Sequence, residues 1–555
     1  MYAAAMLMQR LATGLLSAAF AVASGAAGAQ EHVRLPDLGS SALAVLSPHE
    51  ASQYGAQMLH QMRAMKMVLD DPLVNDYLND VGYRLVAHSD NPRQKFTFFV
   101  VNTPEINAFA APGGYIGVNA GLIDLTRSES ELAAVMAHEI GHITQHHLER
   151  AFEASKKDAP LMALVLLGAI AAGAADSGHG YGYGYNGYGQ SGGDAAMGVL
   201  AAGMGLIQQR QINFTRKDEI EADRNGIQTL AAAGYDASAM AGFFQRMENA
   251  LGGAGDNVPA LLQTHPVTLN RIADAKSRAR GLETRYHDRK VPPISRQQWE
   301  KITAPISYVS NPAELTTVHD ASDAGASRYA LMRERVRALS MDAGKAVDYY
   351  RRHLGEKDFD TTANRYGYAL ALIRNNHADQ AITQLRDAVA RYPDNLPLQL
   401  AMADAQAHNG QVDQALTSYA RLDAASPRNR AIVQAWASAL IRDKSVAHGR
   451  KAASLLKPLL DDETDEPQMF AIYARASEIA GDKFNAAESW ANVSYLEGRP
   501  FDAMEQLQRL LKDESLNYYQ RARVQADINQ LRPLLLELQK RHIETPDRPR
   551  DGQQG

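Results

Sequence analysis

The chain contains no cysteine among its 555 residues. That excludes a disulfide framework and a thiol-linked lipid anchor, and it leaves no thiolate to compete for a metal ion. Basic tracts are missing as well. The 57 Lys and Arg against 63 Asp and Glu give a net charge of -6 with no run that would grip a nucleic acid. Beyond residue 29 no apolar run reaches the roughly 18 residues that a membrane span requires. What is present is the composition of a globular protein, 45% hydrophobic and 22% charged, in a chain long enough for two or more cores.

Residues 1–29 stand apart. Arg10 precedes LATGLLSAAFAVASGAAGA, which ends in Ala27, Gly28 and Ala29, the pattern of a secretory signal peptide cut before Gln30. An uncleaved anchor is the competing reading. Export without disulfides is at home in a periplasm.

Glu131 to Glu149 reads ELAAVMAHEIGHITQHHLE and carries His138, Glu139 and His142 in the spacing H-E-x-x-H. On a helix, residues four apart share a face, so both imidazoles can meet one ion. Glu139, beside the first ligand, is placed to take a proton from water there, as a zinc peptidase requires. With 17 His in the chain, chance supplies roughly 0.03 such matches, so the pattern is informative. Ser128 and Glu131 spell a capping box, and Leu132, Val135, Met136, Ile140 and Ile143 recur at helical spacing. Gly141 inside this helix costs about 1 kcal/mol relative to Ala, which implies a close neighbour. His146 continues the i+4 series but lies roughly 12 Å along the axis from His138, too far to share the ion. His146 and His147 are therefore read as surface residues. Leu148 and Gln145 exclude a third histidine of the metzincin kind.

Two histidines need a third protein ligand. The segment TRKDEIEADRNGIQTLAAAGY predicts a second helix, closed by Gly234, with Glu219 and Asp223 one turn apart. Glu219 is the candidate ligand, and Asp223 can accept from the outer nitrogen of a ligand histidine. Upstream, residues 47–90 predict helices with a start at Asp71-Pro72, and Lys95 to Val101 a strand. Residues 105–123 predict a strand pair turned by Pro112, Gly113 and Gly114. That pair is either a plain support for the zinc helix or an edge on which an extended peptide adds itself. Between the two ligand helices lie the apolar runs Leu161 to Ala175 and Ala195 to Leu206, joined by a Gly/Tyr-rich tract at 177–193. They read either as a buried helical hairpin, or as a lid, or as a patch for peripheral membrane contact through 161–206.

The stretch NAFAAPGGYIGVNAGL, then HEIGH, then EIEAD, then Thr264-His265-Pro266 with Arg271, resembles the M48 peptidases over about residues 47–280. With repeats following, the likeness is to exported members of the Gram-negative periplasm. It implies an α+β zincin-like domain, mostly helical with a small sheet, and one zinc per chain. It implies metal ligands His138, His142 and Glu219, with Glu139 as general base. Asp223 is implied to lie behind a ligand or to donate a proton. His265, a loop histidine with no role on the residues alone, is implied to be either a resting fourth ligand or a stabiliser of the oxyanion.

The second half is periodic. Ala381 and Ala415, Pro393 and Pro427, and Leu385 and Tyr419 are each 34 apart, and Ala453 and Ala487 keep the offset. This is the tetratricopeptide (TPR) period, which predicts an all-α solenoid of four or five helix pairs with a concave surface for proteins. The expected organisation is a leader at 1–29, a metallopeptidase domain at 30–284, a linker at 285–326, repeats at 327–540 and a disordered tail at 541–555. The expected function is zinc endopeptidase action in outer-membrane protein assembly and quality control. The expected partners are misfolded outer-membrane proteins and their assembly machinery, with nucleic acid excluded. The alternative is a chaperone-like factor whose peptidase site inhibits itself.

Overall fold

A computed structural model describes residues 47–154, 216–251, 259–286, 326–460 and 465–540, with Thr545 and Asp547. The leader, the apolar runs with the Gly/Tyr tract, most of the linker and most of the tail lie outside the described residues.

The first unit runs α1 (Pro48–Ala64), α2 (Pro72–Ala87), β1 (Thr97–Val101), β2 (Ala108–Ala111), β3 (Tyr115–Asn119), α3 (Ala120–Leu125), α4 (Glu129–Thr144) and α5 (His147–Ala154). It resumes with α6 (Arg216–Ala232), α7 (Ser238–Leu251), α8 (Ala260–Thr264) and α9 (Leu269–Tyr286). The strand order is β1-β3-β2, with β3 parallel to β1 and antiparallel to β2. The β2–β3 turn needs its glycines: Gly114 has φ +87°, and a Cβ there would lie 2.1 Å from the Lys95 carbonyl oxygen. As the Asp-Pro pair predicts, Asp71 caps α2 by accepting from the Val74 N–H at 3.1 Å.

The helix α4 is buried from Glu131 to Ile143 on every side, which is why its apolar residues are not confined to one stripe. Ser128 Oγ accepts from the Glu131 N–H at 3.3 Å. The capping box is only half made, because Glu131 accepts instead from the Arg127 N–H at 2.8 Å and meets Arg246. The neighbour that Gly141 implied is α6. A Cβ on Gly141 would sit 3.0 Å from the Ala222 carbonyl oxygen, and one on Gly226 would sit 3.1 Å from the His138 nitrogen. Two glycines thus let the α4 and α6 backbones cross closely, which brings Glu219 within reach of the histidines.

The second unit stacks six helix pairs among the described residues, more than the spacing predicts. They are α10 (Arg328–Ser340) with Ala343–His353, Thr362–Arg374 with Ala378–Arg391, and Leu396–His408 with Val412–Ala425. Arg430–Leu440 with Val446–Leu460, Pro467–Ala480 with Lys483–Leu496, and Pro500–Leu511 with Tyr518–Lys540 complete them. Ala346, Ala381 and Ala415 are fully buried where helices touch, as the period predicts. In later pairs the buried alanines are Ala452 and Ala486, one position before the predicted Ala453 and Ala487. The units share one hydrophobic core. Its polar fastening is α10, where Arg335 grips Asp71 through Nε at 2.7 Å and Nη2 at 2.6 Å and Tyr329 donates to the Thr126 carbonyl at 2.6 Å.

Candidate metal centre

Helix α4 carries His138, Glu139 and His142 into the interior, each at most 5% exposed. Helix α6 faces them with Glu219 and Asp223, and the residue closing α8 contributes His265. His138 Nε2 lies 3.0 Å from His142 Nε2 and 3.3 Å from His265 Nδ1. Glu219 Oε1 lies 3.4 Å from His142 Nε2 and 2.8 Å from His265 Nδ1, and its Oε2 lies 3.6 Å from His138 Nε2. Four ligands at zinc bond lengths of about 2.0–2.1 Å on a tetrahedron stand about 3.3 Å apart. These separations scatter about that edge, and three imidazole nitrogens with one carboxylate form a donor set that suits a divalent transition metal.

The surrounding groups set the charge. His138 Nδ1 lies 3.0 Å from Asp223 Oδ1. Burial alone would lower the His138 pKa, but Asp223 and Glu219 outweigh it and raise the pKa to about 10 in the metal-free protein. His142 is pushed the other way, first by burial and then by His138 and His265, so it stays neutral. Asp223 is desolvated yet held below the usual carboxylate range by Arg271 and His138, and Glu219 is held far lower by His265 and His138 against its own burial. Arg271 donates to both Asp223 oxygens at 2.7 and 2.8 Å and reaches Glu219 Oε2 at 2.8 Å. Glu139 is fully buried, and among the described residues neither carboxylate oxygen has a hydrogen-bond partner. It borders a cavity of about 20 Å³ whose other walls include Phe243, Phe244, Met247 and Leu261. His265 Nε2 lies 3.8 Å from Glu139 Oε1.

Residues 72–279 match peptidase family M48, and residues 372–438 match a tetratricopeptide repeat. A beta-barrel assembly-enhancing protease from Yersinia pestis is 32% identical over 462 residues, covering 81% of this chain and 90% of that one. The chain belongs to peptidase family M48. A protein of the same name from Escherichia coli K12 is 39% identical over 245 residues, 44% of this chain and 47% of the relative, so the alignment spans about half of that protein. The mitochondrial metalloendopeptidase OMA1 of Schizosaccharomyces pombe is 29% identical over 222 residues, 40% of this chain and 55% of the relative. Membership of a metallopeptidase family implies a metal ion, and the His/Glu group described above could hold one.

All six residues singled out in the sequence are brought together: His138, Glu139, His142, Glu219, Asp223 and His265. Two neighbours were missed. Arg271 was visible only as part of a motif, without a partner. His147 was read as a surface residue, yet it is 1% exposed and its Nδ1 lies 2.9 Å from His142 Nδ1. The surface reading assumed that the helix runs straight through Gln145 and His146. It ends there, with His146 in the left-handed region at φ +55°. Among the described residues no helix is long and apolar enough to cross a membrane.

Proposed function

We propose that this chain is an exported zinc endopeptidase of the Gram-negative periplasm, acting in the assembly and quality control of outer-membrane proteins. The observation that carries the reading is the convergence of His138, His142, Glu219 and His265 beside a buried Glu139. A zinc ion held by the first three residues supplies Lewis acidity toward water and the peptide carbonyl. Glu139 is the general base: a carboxylate oxygen accepts the proton of the attacking water and returns it to the leaving amine. Asp223 holds the His138 ring with Nε2 free for the ion, and Arg271 keeps Asp223 ionised. His265 Nδ1, which lies within the donor set, would fill the remaining position at a bound ion, and with its ring turned away it would offer an N–H to the developing oxyanion.

The names of the Yersinia and Escherichia relatives, both beta-barrel assembly-enhancing proteases, support beta-barrel assembly as the setting. In this reading 1–29 is the leader, 30–284 the peptidase domain, 285–326 a linker and 541–555 a tail. The repeats at 327–540 hold misfolded outer-membrane proteins or dock to the assembly machinery. A peripheral membrane contact through 161–206 predicts that deleting the apolar run Leu161 to Ala175 abolishes liposome co-sedimentation. The placement of His265 within the donor set favours a second reading, an assembly factor whose peptidase site is largely shut.

Metal analysis and digestion of casein and of a misfolded outer-membrane protein test these readings. One zinc per chain is expected, with Glu139→Gln keeping the metal and losing roughly 10²–10⁴-fold in kcat. His265→Ala should cleave faster than wild type. Zinc-free protein sinks the peptidase, and an inert His265→Ala protein with stoichiometric zinc sinks self-inhibition.

A further inference from the structure

We propose that His147 is a positioning residue: backed by Glu221, it fixes the ring of His142 from the side away from the metal. This rests on the reading of His138, His142 and Glu219 as ligands.

On a straight helix position i+5 is rotated about 140° from i, so His147 would face away from His142. The left-handed His146 ends α4, and α5 begins with His147 turned back toward the site. The two rings meet Nδ1 to Nδ1 at 2.9 Å with centroids 4.8 Å apart. One hydrogen fits between two ring nitrogens. For His142 to offer the Nε2 lone pair that faces His138 and Glu219, its hydrogen must sit on Nδ1 and be donated to His147 Nδ1. That places the hydrogen of His147 on Nε2, which lies 3.2 Å from Glu221 Oε2. With both rings neutral, a single arrangement of hydrogens satisfies the chain from Glu221 through His147 to His142, and it is the arrangement that leaves His142 able to bind a metal.

The contrast with His138 is instructive. Its outer nitrogen faces the Asp223 carboxylate directly, whereas that of His142 faces a neutral ring with a carboxylate behind it. Outer partners of this kind set ring orientation and ligand basicity. A rival use of His147, Asp218 and Glu221 is a second cation site, since their donor atoms also cluster. Arg150 argues against it. Its Nη2 lies 3.0 Å from Asp218 and 2.9 Å from Glu221, so a guanidinium already supplies the positive charge between those carboxylates.

The test uses the full chain with His147→Phe, which keeps a flat ring without nitrogens, His147→Asn, whose amide oxygen can accept near the place of Nδ1, Glu221→Gln, and His142→Ala. The readouts are zinc affinity by competition with a chromogenic chelator, the visible absorption of the Co²⁺-substituted protein, and kcat and KM on a fluorogenic peptide. His147→Phe is expected to lose about 10–100-fold in zinc affinity, to shift the Co²⁺ bands, and to lower kcat with KM within about twofold. His147→Asn should recover most of the affinity, and Glu221→Gln should lose about threefold. A folded His147→Phe protein with wild-type affinity and Co²⁺ spectrum overturns the proposal. If circular dichroism shows that His147→Phe does not fold, Glu221→Gln and His147→Asn decide, and unchanged affinity and spectrum in Glu221→Gln overturns it. Two zinc ions per chain, one of them lost in His147→Phe, would overturn it in favour of a second metal site. His142→Ala separates the two levels: loss of zinc there upholds the ligand reading whatever His147 does, and wild-type binding there brings down both.

Discussion

Arg271 is where two buried carboxylates find their counter-charge. It grips Asp223 with both arms of its guanidinium and reaches Glu219, while lying over the Phe244 ring at 4.9 Å. Removing it leaves buried charge uncompensated, so Arg271→Ala should lose about 3–5 kcal/mol in chemical denaturation, and Lys, lacking the fork, should restore little of that. His138 yields a second residue-scale expectation. With its pKa raised to about 10 in the metal-free protein, it carries a proton at pH 7.5 that a metal ion must displace. Zinc affinity should therefore climb about tenfold per pH unit between pH 7 and 9, with about one proton released, measurable by titration calorimetry in buffers of different ionisation enthalpy. Affinity independent of pH would contradict the raised pKa. The candidate ligand pair was legible in the sequence because an i+4 spacing on one helix needs no tertiary information. The role of Arg271 was not, since it depends on α9 packing beside α6.

At the scale of elements, the centre depends on how near α4 and α6 come. Gly141 faces the backbone of Ala222 and Gly226 faces that of His138, with no flexible side-chain end to yield at Gly141. Gly141→Val should force the helices apart, costing about 1–3 kcal/mol and weakening zinc binding far more than an equally destabilising change in the repeats. Stability and chelator competition measured together would tell, and intact affinity in a destabilised protein would show that the crossing tolerates the strain. The glycine inside a helical pattern was a usable signal in the sequence, although its partner was not. The opposite failure occurred at His147, where extending the helical period past Gln145 concealed a break.

At the scale of the molecule, the peptidase unit and the repeats are one folded body. Their joint buries Asp76 of α2 near Arg430 and Glu466 of the repeats, and Arg430 donates to Glu466 at 3.2 Å. Burial, which outweighs Arg430, raises the Glu466 pKa from 4.5 to about 7. A carboxyl whose pKa rises on folding binds its proton more tightly when folded, so its contribution to stability falls as pH rises from 4.5 to about 7 and is flat above. Wild type should thus lose Tm relative to Glu466→Gln across that window, and parallel profiles would exclude Glu466 as the cause. Arg335→Ala with Tyr329→Phe, which cuts the α10 fastening to Asp71 and Thr126, should split one melting transition into two.

The sequence by itself determined the candidate histidine pair and the repeats, because H-E-x-x-H and the 34-residue period are local patterns with one geometric meaning each, and it offered Glu219 as the candidate third ligand. It also determined that the chain joins a peptidase to helical repeats. The tertiary structure decided the rest: that His265 stands within the donor set, that Arg271 grips Asp223 and reaches Glu219, that His147 abuts His142, and that the repeats share a core with the peptidase unit. Those facts depend on contacts between segments far apart in the chain, or on one left-handed residue ending a helix, and neither leaves a periodic trace in sequence.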